Sequence, residues 1–548
     1  MAKADPENDV VATENCCDKP DLKVLDDSTA SAYTTLKSVT LNKAKEKPSS
    51  GYSIIQYRYI VTLFGFFVYV ELDCYRISTS MSIVKMVNST AVNFKKNVNG
   101  TVVDSCPLNY SDTNNILEPA QGEFDWSHEI QSYILSAGFL GYVISQIPGG
   151  MLAEAYGAKV TLVSGVIVSS LAHMLCPFAA WYSCYLMTAM QFLRGVGQGF
   201  ITPACSVMAA KWFPRQERGF LNSIILTGCY VGSLITYATS GALCSSTLFG
   251  GWPLVYFVYG GLGLVFGLCV HLFLYEHPKE HPKIGKTELI YILENHESDL
   301  SQKRPPTPWK KILTSIPVYA MTFSIFSHFF PEIQQLSEHP IFLANILHFP
   351  IQTNGMLNSI PFAFQILFIF LGGWISKWLN MRGYVGVDKV RKGCTMLYSL
   401  GCSISLLGLY FAGCDRVWSI VCSVIAFSFV GLATPGCVIV PADMSPTFAG
   451  SLFAFSNTLA SSATFIYPLI VGAMIDVEES LEQWNKIFLL CIAFVMSSGI
   501  LFCLFGSAEV QPWNFPTTED VDRNRTKDEV VKSGTKKCTL TKETSTHL

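Results

Sequence analysis

Twelve long apolar stretches separated by polar turns constrain this chain more than any other feature of its sequence. Each is long enough to cross a hydrocarbon core about 30 Å thick, which takes about 20 helical residues. Only 14% of the residues are Asp, Glu, Lys or Arg, whereas soluble domains average about 25%. The pattern predicts an all-α integral membrane protein embedded in a lipid bilayer. It excludes a soluble enzyme, and without a basic block it also excludes a nucleic-acid-binding protein.

The predicted spans fall into two groups of six. They cover residues 59–87, 130–153, 160–180, 183–209, 219–243, 253–275, 314–336, 354–378, 394–413, 417–440, 450–476 and 486–507. A charged segment after the sixth span divides the chain. The predicted domains are a cytoplasmic N-terminal tail, a first six-helix bundle, a cytoplasmic connector, a second six-helix bundle and a cytoplasmic C-terminal tail, at residues 1–57, 58–275, 276–313, 314–508 and 509–548.

The distribution of positive charge predicts the orientation. With both tails in the cytoplasm, the short cytoplasmic loops hold nine Lys and Arg residues, and the short outer loops hold only Arg416 and Lys486. Cytoplasmic loops of membrane proteins carry such an excess of Lys and Arg. The N-terminal tail also lacks the apolar region of a cleavable signal peptide, which agrees with a cytoplasmic tail.

The long loop 88–129 then faces outward. It carries three N-x-S/T sequons, at Asn88, Asn99 and Asn109, and we predict that it is glycosylated. It also contains Cys106, for which the sequence leaves a disulfide to another outer-loop cysteine open.

A short motif repeats between the two groups of spans. The pattern Gly-x-x-Thr-Pro-x-Cys begins at Gly199 and recurs 232 residues later at Gly431, and the same offset relates Pro214 to Pro446. The repeat predicts duplication of a six-helix unit. Major facilitator transporters have this plan, with the substrate between the two halves.

Ionisable residues inside the spans are candidates for function, because a charge at the centre of a bilayer costs at least about 2.5–3.5 kcal/mol. Asp73 and Arg76 lie three residues apart in the first span, so they share a helical face. They either form a structural ion pair, or Arg76 binds an anion through its bidentate guanidinium. We interpret Arg76 as a substrate-binding residue and Asp73 as a candidate for coupling. Glu71 lies off that face.

The fourth span contains a second cation, Arg194. Gln191 and Gln198 share a broad helical stripe with it, which either lines a polar pathway or pairs with a neighbouring helix. We interpret Arg194 as substrate-binding and the two glutamines as coupling candidates.

Four further polar residues complete the predicted substrate site: Tyr142, Tyr230, His328 and Asn457. For each of them, a packing role or a hydrogen bond between helices is the alternative interpretation. His328 is also a coupling candidate, since histidine titrates near neutral pH.

The cytoplasmic end of the second span is glycine-rich and charged. Gly150, Glu154, Gly157 and Lys159 form a turn between two spans, and we interpret them as a conformational latch rather than as part of the substrate site.

This turn resembles the signature loop of major facilitator transporters, GGxLADRxGRK, with Glu154 in place of Asp and Ala155 in place of Arg. More specifically, the chain resembles solute carrier family 17, which contains the sodium–phosphate cotransporters, sialin and the vesicular glutamate transporters. The resemblance runs from about residue 58 to 513, and its motifs include Arg58-Tyr59-Ile60, Glu123-Phe124-Asp125-Trp126, Lys211-Trp212-Phe-Pro214, Asp443-Met-Ser-Pro446 and Gly506-Ser-Ala-Glu509.

The resemblance implies a secondary transporter of organic anions or phosphate, with the family's substrate-binding arginine at Arg76. Gln191 and Gln198 depart from the family, because many members carry there an Arg that binds the anion and a Glu that carries the coupling proton. Glutamine does not titrate. Leu135 and His328 stand where the vesicular glutamate transporters carry His and Arg, so vesicular glutamate transport is not expected.

We therefore expect a monomeric alternating-access transporter of a small carboxylate, phosphate or urate-like anion. We expect no cofactor or metal other than a co-transported H+ or Na+. No HExxH or GxSxG motif is present, so an enzyme is not expected. The alternative is a ligand sensor on a transporter fold, without coupled flux. The sequence shows no acidic dileucine signal, which favours the plasma membrane over a lysosomal or vesicular membrane.

Overall fold

The computed structural model describes residues 56–88, 106, 122–300, 307–382, 385–477 and 480–515, without the side chains of 215, 216, 219, 295–300 and 477. Long helices dominate these residues. In the first half they are α1 Tyr57–Met86, α2 His128–Ala155, α3 Ala158–Tyr182, α4 Cys184–Trp212, α5 Arg215–Cys244 and α6 Trp252–Phe273. A connector helix, Lys286–Leu300, and a short helix, Trp309–Ile312, lead to the second half.

Two helices of the second half are interrupted. Helix α7 runs over Ile316–Ile333, a π-helical turn Gln334–Glu338 and a last segment His339–Asn345. Helix α10 runs over Arg416–Val430, a 3-10 turn Gly431–Ala433, a π-helical turn Thr434–Val438 and a last segment Val440–Met444. The others are α8 Ile351–Met381, α9 Val387–Ala412, α11 Ala449–Val477 and α12 Leu481–Phe505.

Nine helices in the described part of the chain are long and apolar enough to cross a membrane by length and composition alone. The three long helices outside that group are α1, α4 and α7. Helix α1 carries Asp73 and Arg76, α4 carries Arg194, and α7 carries Glu332. Charged and polar side chains lower the mean hydropathy of these helices. The predicted all-α membrane fold is confirmed, with one long helix at each of the twelve predicted spans.

Helix α7 continues nine residues beyond the predicted end of the seventh span at residue 336. In this added segment, His339 is buried and has partners within the second half. His339 Nδ1 lies 2.6 Å from Asn358 Oδ1, and His339 Nε2 lies 3.0 Å from Ser423 Oγ. Because both ring nitrogens of His339 have hydrogen-bond partners, the histidine is tolerated in the protein interior and the helix continues past it.

Glycines let α2 and α4 pack with their backbones in contact. A Cβ atom on Gly195 would overlap the carbonyl oxygen of Gly138, and one on Gly141 would overlap the carbonyl of Phe192. Small residues permit such close approach of membrane helices. The repeated motif differs in conformation, because its first copy lies in continuous helix α4, whereas its second copy, from Gly431, contains both non-α turns of α10.

The two halves meet near the C-terminal ends of α1 and α7. Ser80 Oγ of α1 donates a 2.8 Å hydrogen bond to the carbonyl of Ser337 in α7. Tyr237 of α5 donates a 2.8 Å bond to the carbonyl of Gln335, and its ring stacks on Phe362 of α8 with centroids 5.6 Å apart. These contacts join α1 and α5 of the first half to α7 and α8 of the second.

A disulfide joins Cys106, in the outer loop after α1, to Cys414, between α9 and α10. It therefore connects the two halves covalently. Next to this loop, the N–H of Asn88 donates a 2.9 Å bond to the carbonyl of Phe124. Asn99 and Asn109 lie outside the described residues, and glycosylation of all three asparagines stays a prediction.

Candidate functional site

Arg76 is the central cation of the cleft between the halves. Its Nη1 lies 3.3 Å from Asp73 Oδ1, as the three-residue spacing predicts. Asp73 Oδ2 accepts a 3.0 Å hydrogen bond from Ser233 of α5, so both carboxylate oxygens are engaged. The guanidinium carbon also lies 4.8 Å from the centroid of the Tyr142 ring and 5.4 Å from that of Phe139. Aromatic faces of this kind attract a cation without neutralising its charge.

Arg194 is enclosed within the first half. Its Nε donates a 2.6 Å hydrogen bond to Gln191 Oε1 and its Nη1 donates a 3.0 Å bond to Gln198 Oε1. The residue is only 2% exposed, and it makes no ion pair with any residue that the structure describes. The predicted grouping of these three side chains is therefore present, but Arg194 does not face an open cleft.

The two glutamines connect α4 to its neighbours. Gln191 donates to Thr79 Oγ1 at 3.1 Å, and Gln198 donates to the carbonyl of Leu72 at 2.8 Å. Each glutamine thus accepts from Arg194 and donates to α1, which a glutamate in either position could not do while ionised. Arg194 and Arg76 interact electrostatically, so the enclosed cation adds positive potential behind the central one.

Glu332 is a site residue that the sequence analysis did not select. It lies one turn after His328 in α7, and the His328 Nε2 to Glu332 Oε2 distance is 3.3 Å. Glu332 interacts electrostatically with both Asp73 and Arg76 of α1, across the boundary between the halves. The signal that could have identified it is its charge within a predicted span, the criterion that selected Asp73.

Two other predicted substrate-site residues, Tyr142 and Tyr230, interact with groups of this centre. Tyr142 contacts Arg76 and lies 3.4 Å from Thr202 Oγ1 through its hydroxyl. Tyr230 of α5 interacts electrostatically with Glu332. Asn457 of α11 is half-buried, and its side chain has no hydrogen-bond partner among the described residues, so its amide is free to bind a ligand.

Glu71 lies on another side of α1, as its sequence position indicates. Its Oε1 accepts hydrogen bonds from Tyr75, at 2.5 Å, and from Ser170 of α3, at 3.0 Å. Nearby, His173 bonds Ser78 Oγ at 3.1 Å and stacks on the Tyr75 ring, with centroids 4.4 Å apart. These groups form a network between α1 and α3 that is separate from Arg76.

The predicted latch residues lie at the end of α2 and the start of α3. The carboxylate of Glu276, just after α6, accepts bonds from the N–H groups of Ala158, at 2.9 Å, and Lys159, at 2.7 Å, and it also pairs with Lys211. Burial by itself would raise the pKa of Glu276, but the hydrogen bonds from these three donors outweigh it and lower the pKa below its ordinary value. The carboxylate thus caps the start of α3, where the helix dipole favours an anion.

Within this group, Gly157 adopts a φ of +104°, which glycine tolerates without strain. A Cβ atom added to Gly150 would lie 3.7 Å from Pro203, which is an ordinary van der Waals contact. Glu154 is exposed and has no ion-pair partner in the described part of the chain. Gly157 and Lys159 therefore both lie beside the carboxylate of Glu276, whereas Glu154 is not part of this group.

The central residues remain accessible. The side chains of Arg76 and Glu332 are 14% and 26% exposed. Charged groups from both six-helix halves thus interact in one partly exposed region, as in transporters that bind their substrate between two halves.

Comparison with known proteins agrees with this class. Residues 107–387 match the family model of the Major Facilitator Superfamily. A solved bacterial homolog of the human lysosomal transporter Spinster, in an inward-facing and occupied conformation, has a TM-score of 0.60 at 15% identity and covers 82% of this chain and 96% of its own. A D-xylose-proton symporter structure has a TM-score of 0.61 at 13% identity, covering 83% of this chain and 100% of its own.

Curated relatives are more similar in sequence. A Drosophila ananassae protein named "Putative inorganic phosphate cotransporter" is 32% identical over 81% of this chain and 92% of its own length. Sialin of Homo sapiens is 28% identical over 83% of this chain and 89% of its own length. Vesicular glutamate transporter 2 of Homo sapiens is 32% identical over 72% of this chain and 68% of its own length.

The chain belongs to the major facilitator superfamily. Within it, the chain is a member of solute carrier family 17 and a multi-pass membrane transporter of the secondary active type.

Proposed function

We propose that this transporter moves small organic anions or inorganic phosphate together with a cation, H+ or Na+, by alternating access. Arg76 binds the negative group of the substrate. The observation that carries the proposal is the position of Arg76, a charged guanidinium in the cleft whose buried Nε has no hydrogen-bond partner among the described residues. Tyr142 leaves the charge of that guanidinium available to an anion, because its ring attracts the cation from 4.8 Å without neutralising it.

The names of the relatives support the substrate class, since they include an inorganic phosphate cotransporter, a sodium-dependent phosphate transport protein and a vesicular glutamate transporter. Asp73 forms an ion pair with Arg76, so an anion that binds Arg76 replaces part of this pair. Tyr230 and Asn457 offer hydrogen-bonding groups from α5 and α11, on opposite halves of the molecule.

The test is uptake by purified protein in liposomes, with radiolabelled inorganic phosphate, L-glutamate and N-acetylneuraminate as probes. Hydrogen bonds to a charged group contribute about 1.5–3 kcal/mol, so we expect Arg76→Ala to reduce uptake about 10- to 100-fold. Arg382→Ala, at the exposed cytoplasmic end of α8, is the matched control and should transport as the wild type does. Normal uptake by the Arg76 variant would refute the role of Arg76, and ligand binding without flux in the wild type would favour the sensor.

A further inference from the structure

Asp73 and Glu332 occupy corresponding positions in the two halves. Each lies 16 residues after the first residue of its helix, Tyr57 in α1 and Ile316 in α7. With the segment His339–Asn345 included, α7 ends 29 residues after its start, as α1 does at Met86. The two carboxylates therefore lie at the same depth of two equivalent helices, and they interact electrostatically with each other.

The surroundings of Glu332 come from four helices. Helix α1 contributes Asp73 and Arg76, and α7 itself contributes His328. Helix α5 contributes Cys229 and Tyr230, and α9 contributes Tyr398. Among the described residues, α10, α11 and α12, which also pack against α7, contribute no charged group that interacts with Glu332. Arg76 is thus its cationic neighbour across the cleft.

Asp73 and Glu332 differ in how they are held. Asp73 has Arg76 on one oxygen and Ser233 on the other, so both of its oxygens are held in place. Glu332 has His328 on Oε2, and its Oε1 makes no hydrogen bond to any described residue. One of the two equivalent carboxylates is therefore fixed, and the other is free to change its protonation state.

Charge balance links that change to the substrate. Without substrate, Arg76 and Arg194 offset the charges of Asp73 and Glu332. A bound anion adds negative charge to a largely buried site, where like charges repel more strongly than in water. Protonation of Glu332 removes one negative charge and ends its competition with the substrate for Arg76.

We propose that Glu332 is the site of the coupled proton. This inference rests on the proposed function and specifies its driving ion. A proton from one side of the membrane binds a carboxylate oxygen of Glu332 when the substrate anion binds Arg76, and both leave on the other side. The role belongs to α7 in this chain, because the glutamines of α4 cannot titrate and are held by Arg194.

The test compares exchange with accumulation in liposomes that contain the purified full chain, with phosphate, L-glutamate and N-acetylneuraminate as the probes. We expect the wild type to accumulate its substrate when a proton gradient is imposed without sodium. In Glu332→Gln, we expect labelled substrate to exchange at a measurable rate, whereas the accumulation ratio falls to about 1. Glu332→Asp keeps a carboxylate, and it should retain at least part of the accumulation.

Glu338→Gln is the matched control, since Glu338 is a second buried carboxyl in the same helix, six residues further on. It should accumulate substrate as the wild type does. Accumulation by Glu332→Gln at the wild-type level, loss in Glu338→Gln alone, or wild-type accumulation driven only by sodium would each overturn the assignment. Wild-type protein that exchanges none of the three anions would instead refute the proposed function. Elution volume and thermal unfolding in detergent verify that each variant is folded.

Discussion

The guanidinium of Arg194 occupies the space that a side chain on Gly138 would need, since a Cβ atom there would overlap Arg194 Nη2. Arg194 is nearly fully buried and held by two glutamines, so it has little room to shift. We expect Gly138→Ala to cost about 1–3 kcal/mol of stability, as overpacking does. The apparent melting temperature in detergent should fall, and uptake should fall with it.

Gly261→Ala in α6 is the control for that substitution, because a Cβ atom there meets nothing within 4 Å. It should be neutral or slightly stabilising, since alanine is the better helix former. Equal melting temperatures for the two variants would show that Arg194 is not confined by α2.

The ring of Tyr142 should contribute to anion transport through Arg76 rather than through its own hydroxyl. The ring centroid lies 4.8 Å from the guanidinium carbon, and the hydroxyl is 3.4 Å from Thr202. A cation–π contact contributes about 0.5–2 kcal/mol. We therefore expect Tyr142→Leu to raise the KM for uptake about 2- to 30-fold, whereas Tyr142→Phe should stay near the wild type. A similar loss in both variants would assign the effect to the hydroxyl.

The disulfide between Cys106 and Cys414 should hold the halves together after the chain is cut between them. A protease site introduced into the connector at residues 301–306 allows this cut. On a denaturing gel, the cleaved wild type should run as one species without reductant and as two species with it. Cys414→Ser should give two species in both lanes, and two species from the unreduced wild type would contradict the pairing.

The cap on α3 predicts a defined pH dependence of stability. Because the pKa of Glu276 is lowered in the folded protein, its carboxylate stabilises the fold at pH values above the ordinary glutamate pKa. The contribution is lost as the pH falls through the lowered value. Glu276→Gln should therefore melt below the wild type by a constant interval from about pH 6 to 8, and the interval should shrink below about pH 4.5.

Glu280→Gln is the control for the pH series, because Glu280 is exposed four residues further along the chain. Its melting temperature should follow that of the wild type at every pH. If the difference in melting temperature between Glu276→Gln and the wild type stays the same at acid pH, the charge of Glu276 does not stabilise α3.

Local relationships along a single helix were predictable from the sequence. The pairing of Asp73 with Arg76, and the grouping of Arg194 with Gln191 and Gln198, both follow from the period of an α-helix. Relationships between helices were not predictable in this way. Arg194 was expected beside a substrate pathway, but it is enclosed because the glycines of α2 bring that helix against α4.

The sequence by itself determined the membrane environment and the number of spans, because these follow from hydropathy summed along the chain. It also placed a cation in the first span. Tertiary structure alone decided which charges face one another. Glu332 interacts electrostatically with Arg76 across the boundary between the halves, and His339 is buried among Asn358 and Ser423, because helices distant in sequence pack together there. Those contacts depend on helix rotation and depth, which hydropathy does not specify.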